Sequence, residues 1–566
     1  MNKYFSLVSI ALLLSGCQSL ITDTPPVTAP VDSPTAATTS ADFSQDSLVS
    51  LLAAEIAGQR DRFDVALENY SQQAQATGDP GVAERAFRIA EFLGEEQTAL
   101  NNALIWAQAA PDNLEAQRAA AVQLGKAKRY DEAMLRMEQV LQAQGDTQFD
   151  FLALSAAQSD QKTRQALLQS FDRLLVKHPN HQQLVFSKAI LLTQDNRSSE
   201  ALQLLEAQPK KLTAVTTILL RARLLNQLER SEEALPILRS ALKKHPDDNR
   251  LRMAYARQLI ELNQLEKARA EFLELLQQSP ENDDLRFSVA LINMDLEAWQ
   301  EAQFYLEELI ERGSYMDAAY YNLGRTFEEL QETEQALAAY TQVQSGNNYL
   351  ASQQRIANLL LGAQHLKEAI LHFEQERDKH SGTQVQLYLI ETEALTKHEQ
   401  IEIAWLRINQ ALEEIPNDHS LLYTRAMVAE KRNDLVQLEQ DLRVIIQANP
   451  DNAMALNALG YTLADRTDRL EEARQLIEQA HQLEPEDPAI TDSLGWIYYR
   501  LGDFKEAERL LREALSVFPD AEVAAHLGEV LWQQGKRKQA QQVWNKALET
   551  QPDNSVLRET MQRFKQ

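Results

Sequence analysis

Between residues 453 and 552 one pattern is written three times with almost no drift. Gly460, Ala473, Ala480 and Pro485 recur as Gly495, Ala507, Ala514 and Pro519, and again as Gly528, Ala540, Ala547 and Pro552. The step is about 34 residues, the period of a repeated helical unit. Such a chain cannot be built around one globular core, because each unit buries its apolar face only against its neighbours. The glycine and alanines mark places where helices approach closely. A larger side chain there would overpack the crossing at roughly 1 to 3 kcal/mol. The proline ends the second helix of the unit.

Followed backwards in steps of roughly 33 to 35 residues, the small residue of the second helix reappears through most of the chain. It is found at Ala473, Ala404, Ala369, Ala336, Ala302, Ala268, Ala234, Ala201, Ala166, Ala133, Ala99 and Ala66, and Leu438 alone breaks the column. An earlier small residue accompanies it at Ala54, Ala121, Ala189, Ala222, Ala256, Ala290, Gly324, Ala357 and Ala426, and prolines close units at Pro111, Pro246, Pro280, Pro416 and Pro450. The expectation is about 15 units from residue 47 to 552, then a short capping helix over 553–566. Units within 47–180 are degenerate, with Phe87 and Leu154 where a small residue belongs, and those within 181–552 are regular. The stretches "ALNALGYTLA", "DSLGWIYYRLGDFKEAERLLREAL" and "AHLGEVLWQQGKRKQAQQVWNKAL" resemble the tetratricopeptide repeat (TPR), a helix-turn-helix that stacks on copies of itself. The resemblance implies an all-α, superhelical solenoid of paired antiparallel helices.

Composition narrows the function. Only 17 glycines and 17 prolines occur in 566 residues, mostly at repeat joints or near the N-terminus, which leaves few loops able to cradle a cofactor. No cofactor is expected. A formal charge of −27 repels phosphate backbones, and no basic run compensates it, so nucleic acid is not an expected partner. Acidic residues coating helix faces account for much of that charge.

Residues 1–16 carry Lys3, an apolar run from Tyr4 to Leu14 and small residues, the pattern of a secretory signal too short to span a bilayer. Leu14, Ser15, Gly16 and Cys17 resemble a bacterial lipobox. That resemblance implies cleavage before Cys17 and lipidation of its thiol, which would hold the chain on a membrane. Gln18, where aspartate would signal inner-membrane retention, makes the periplasmic face of the outer membrane the expected place. Cys17 is the single cysteine, so none remains for a disulfide, metal or nucleophile. From residue 17 to 46 the chain is rich in Pro, Thr, Ser and Ala and reads as a disordered tether.

Motifs of catalysis are few and poorly supported. Ser240 and Lys243 spell S-x-x-K, but no K-T-G follows and Ala241 belongs to the repeat pattern. His178 and His181 flank Pro179 with no third metal ligand near in sequence. The expectation is a chain that is not an enzyme and holds no metal.

Helical spacing assigns residues to the inner face of the first helices. Arg223, Arg257 and Arg325 share one register, a ladder of guanidinium groups suited to a peptide carboxylate. Phe287 and Tyr321 fall at a groove position, and Asn457, Tyr461, Asp492, Trp496, Tyr499 and Arg500 do so near the C-terminus. Aromatic anchors mixed with hydrogen-bonding groups suit protein contacts. Lipobox, tether and repeat array together resemble the large outer-membrane TPR lipoproteins of Gram-negative bacteria that serve as adaptors of carboxyl-terminal processing proteases. That resemblance implies a non-catalytic adaptor that binds and helps activate the periplasmic protease and brings in substrates such as peptidoglycan hydrolases. The alternative is a scaffold for an envelope machine: exopolysaccharide export, a secretin or a type IV pilus.

Overall fold

A computed structural model describes residues 43–145, 147–208 and 214–564. The signal peptide 1–16, the lipidation of Cys17 and the tether up to residue 42 lie outside the described residues. Among the described residues there are 31 helices and no strands. They fall into fifteen antiparallel pairs and a last single helix, Ser555–Arg563. The first helix is Gln45–Gln59, capped by Ser44, so the repeats begin two residues inside the stretch read as tether. The chain divides into two compact units, residues up to Tyr305 and residues from Leu306, with the boundary inside the helix Trp299–Glu311.

Most pairs share their punctuation. In about half of the pairs the first helix opens on an Asp or Asn whose side chain accepts from the backbone N–H groups of its first turn, as at Asp248, Asn282, Asp418, Asn452 and Asp487. The joint to the second helix turns on one residue with positive φ: Asp61, Gly94, Lys128, Asn196, Glu229, Asn263, Glu297, Gln331, Gln364, Glu399, Asn433, Gly502 and Gly535. Most of these are not glycine. The joint after the helix Ala453–Arg466 lacks such a residue and turns through an extended Thr467 instead.

Close packing explains the small residues. Ala66, Ala99, Ala133, Ala201, Ala234, Ala268, Ala302, Ala336, Ala369, Ala404, Ala473, Ala507 and Ala540 are all buried. A Cβ on Gly460 would meet Ile477 Cγ1 at 2.6 Å, and one on Gly495 would meet Leu511 Cγ at 2.7 Å. Ala166 departs from the column: it is exposed, and Leu167, Leu168 and Phe171 face the core instead. The cause is the irregular fourth pair, where a short helix Phe149–Ser155 and a 3-10 turn precede the long helix Gln161–Lys177 and shift its register.

Within each unit the first helices of successive pairs touch one another, as Gln182–Gln194 touches Val215–Gln227 and Ala453–Arg466 touches Pro488–Arg500. Second helices approach one another less, so the first helices form the inner layer. The core lies between the layers.

Candidate protein-binding surfaces

The C-terminal residues read as groove-facing do come together, around a residue the sequence reading passed over. His526, on the helix Ala521–Gln533, is 6 % exposed. Its Nδ1 lies 3.0 and 3.1 Å from the two carboxylate oxygens of Asp492, and its ring stacks on Trp496 at 4.3 Å. The Tyr461 hydroxyl sits 3.4 Å from its Nε2 and donates to Glu522 Oε1 at 3.2 Å. Trp496 in turn lies against Tyr499, whose hydroxyl donates to Glu529, and Glu529 also accepts from Arg563. Burial pulls the His526 pKa down, but the Asp492 carboxylate, with Glu522 and Glu529 beyond it, outweighs this and leaves it raised. Asp492 and His526 are one repeat apart in sequence. That spacing was the signal available for finding the pair.

Several candidates therefore have structural roles. Trp496 is 6 % exposed and forms part of the floor rather than a free anchor. Arg500 donates to the backbone carbonyls of Ala464 and Asp465, satisfying the end of the preceding repeat's first helix. Tyr461 and Tyr499 stay partly accessible and bridge helices, and Asn457 is half-buried beside them. Phe287 was expected at the groove, but it is 4 % exposed and belongs to the core. Its apolar ring gains more from burial there than from solvent. Tyr321 is half-buried with its ring 5.9 Å from that of Tyr340. Of the arginine ladder, Arg223 is exposed and Arg257 half-buried in the first unit, and Arg325, in the second, donates to Asn322.

The other motifs are absorbed by the fold. His181 accepts the Leu184 N–H through Nδ1 as a helix N-cap, and His178 ends the helix Gln161–Lys177. Ser240 lines a 370 Å³ recess with Thr217, Arg221, Pro236 and Lys244, and among the described residues no histidine, aspartate or glutamate hydrogen-bonds to its hydroxyl.

A second surface lies at the start of the first unit. The helix Gln45–Gln59 buries Ala54 and Ala57 on one side, while Leu48, Val49, Leu52 and Ile56 are exposed, Leu52 by 62 %. At 100° per residue those four occupy an arc of about 100° opposite the buried side. Among the described residues the helix thus carries two apolar faces and packs one. Phe92, 74 % exposed, lies edge-on to Phe63 at 5.3 Å in the same two pairs.

Comparison with known proteins settles the family. Tetratricopeptide-repeat profiles match residues 225–292, 318–345, 466–525 and 498–563. A TPR repeat-containing protein of Pseudomonas aeruginosa is 58 % identical over 532 residues, covering 93 % of this chain and 90 % of that protein. The chain belongs to the tetratricopeptide-repeat proteins. The bacteriophage adsorption protein A of Escherichia coli is 28 % identical over 113 residues, 20 % of this chain and 11 % of that protein. Among solved structures, yeast Tom70 aligns at a TM-score of 0.32 and 14 % identity, over 92 % of this chain and 94 % of its own. TPR proteins are generally non-catalytic and mediate protein–protein interaction, and this chain belongs with them as a protein-interaction scaffold.

Proposed function

We propose that this TPR protein is an adaptor of the LbcA kind, lipid-anchored through Cys17 at the outer membrane and facing the periplasm. It binds and helps activate a carboxyl-terminal processing protease and delivers substrates such as peptidoglycan hydrolases. The observation that supports an adaptor is the presence of two chemically unlike surfaces, one in each unit. Leu48, Val49, Leu52 and Ile56 offer an apolar helix face of the kind that a lasting complex buries. The polar, aromatic surface around Tyr461 and Tyr499 suits contacts that form and release. Holding enzyme and substrate on one scaffold turns their encounter into an intramolecular event, at effective concentrations up to about millimolar.

The division of labour is testable by size-exclusion chromatography of the purified chain with the protease. Leu48→Ser, Leu52→Ser and Ile56→Ser together leave helix content unchanged, because all three side chains already face solvent. The triple variant is expected to elute apart from the protease with which the unaltered chain co-elutes. Co-elution of the variant would remove this face from the enzyme-binding surface, and failure of the unaltered chain to bind would remove the adaptor reading.

A further inference from the structure

The recess around Tyr461 is unbalanced in charge. The Tyr461 hydroxyl donates to Glu522, Asp465 follows four residues later on the same helix, and the neighbouring His526 faces Asp492, so three carboxylates gather about one aromatic side chain; burial and these charges push its hydroxyl pKa upward. Among the described residues, the three cations of this cluster are already engaged. His526 faces Asp492, Arg563 pairs with Glu529, and Arg500 is held by two backbone carbonyls. Asp465 and Glu522 are exposed and make no ion pair among the described residues.

A second, independent observation lies in the same cluster. Among the described residues the indole N–H of Trp496, a residue 6 % exposed, has no acceptor, and Oδ1 of Asn457 has no donor, although both atoms are buried. Buried polar atoms are rarely left unpaired, and each costs about 1 to 3 kcal/mol in that state. One lacks a carbonyl and the other an N–H. A polypeptide in extended conformation carries both at every residue.

We propose that Tyr461, Asp465 and Glu522 form a receptor for a basic side chain of an extended partner polypeptide, whose backbone pairs with Trp496 and Asn457. Arginine fits better than lysine. Its planar guanidinium stacks on a tyrosine ring and bridges carboxylates with several N–H donors, whereas an ammonium is a compact, strongly hydrated charge. The chain's net charge of −27 adds long-range attraction for such a segment. This deepens the adaptor reading and rests on it for its biological meaning: the delivered substrates would be recognised through basic, unfolded segments.

The probe is a fluorescein-labelled glycine–serine peptide with arginines at alternate positions, compared with the same peptide carrying neutral citrulline. Anisotropy titration is run on the full chain and on the isosteric variant Asp465→Asn/Glu522→Gln. The control, Glu413→Gln/Glu549→Gln, removes the same charge from second helices. The arginine peptide is expected to bind, the citrulline peptide to bind at least about ten-fold more weakly, and the Asp465/Glu522 variant to lose about ten-fold while the control loses little. Equal losses in the two variants would mean attraction by net charge alone and would overturn the site. So would the absence of binding or of any preference for arginine. A chain that binds the arginine peptide but leaves the protease unstimulated would remove the adaptor reading and keep the receptor. A chain that stimulates the protease without preferring arginine would do the reverse.

Discussion

Replacing Gly528 by alanine tests the packing rule that organises the repeats. A Cβ at this position would lie 1.9 Å from Nε1, 2.3 Å from Cε2 and 2.5 Å from Cδ1 of Trp544. No shift of a few tenths of an ångström relieves such an overlap. The indole is nearly fully buried, donates to Ala525 O at 3.3 Å and stacks on Trp532 and Phe564 at 5.8 and 6.0 Å. It must either leave that stack or push the helix Arg537–Thr550 away. The expected cost is about 3 kcal/mol, the upper end for overpacking. Repeat arrays open locally, so the sensitive assay is amide hydrogen exchange in the helices Ala521–Gln533 and Arg537–Thr550. Protection there should fall about a hundredfold while the first unit is unchanged. Trp544→Leu in the same chain should restore part of it, and Gly58→Ala, with nothing within 4 Å, should have no such effect. Unchanged protection in Gly528→Ala, or no gain from the second substitution, would refute the reasoning.

Three further outcomes follow from other features. Glu229 holds φ at 58° in an exposed joint, so Glu229→Gly should stabilise the neighbouring pairs by up to about 1 kcal/mol in urea unfolding. His526, which faces Asp492, Tyr461, Glu522 and Glu529, has its folded pKa raised above an unfolded value of about 6.5. Its contribution is therefore complete below that value and is lost as pH climbs through the folded pKa, and thermal melts should show the loss on the alkaline side. His526→Gln should abolish that dependence, and an unchanged pH profile would contradict the assignment. Arg500→Ala leaves the Ala464 and Asp465 carbonyls without their donor and should speed exchange at the end of the helix Ala453–Arg466.

Much of the fold was legible because close helix crossings admit only small side chains, and a column of alanines and glycines records them directly. Where the constraint relaxes, so does the signal. Around Ala166 the short helix Phe149–Ser155 changes the register, and an alanine at the expected spacing carries no information about burial. Joint residues such as Glu229, Gln331 and Glu399 were illegible for a different reason: the left-handed conformation is imposed by the flanking helices, and an exposed glutamate or glutamine bears its modest cost. Surface residues were the hardest to place. Helical spacing puts Phe287 and Trp496 toward the inner layer, yet packing from neighbouring helices buries them. The Asp492–His526 contact depends on two residues in successive repeats, so inspection of either repeat alone could not reveal it.

Processing rate is the measurement closest to the central claim. The purified chain alone is expected to cleave nothing, while its addition to the carboxyl-terminal processing protease speeds degradation of a periplasmic peptidoglycan hydrolase. Degradation at the same rate with and without the chain, or cleavage by the chain alone, would contradict a non-catalytic adaptor.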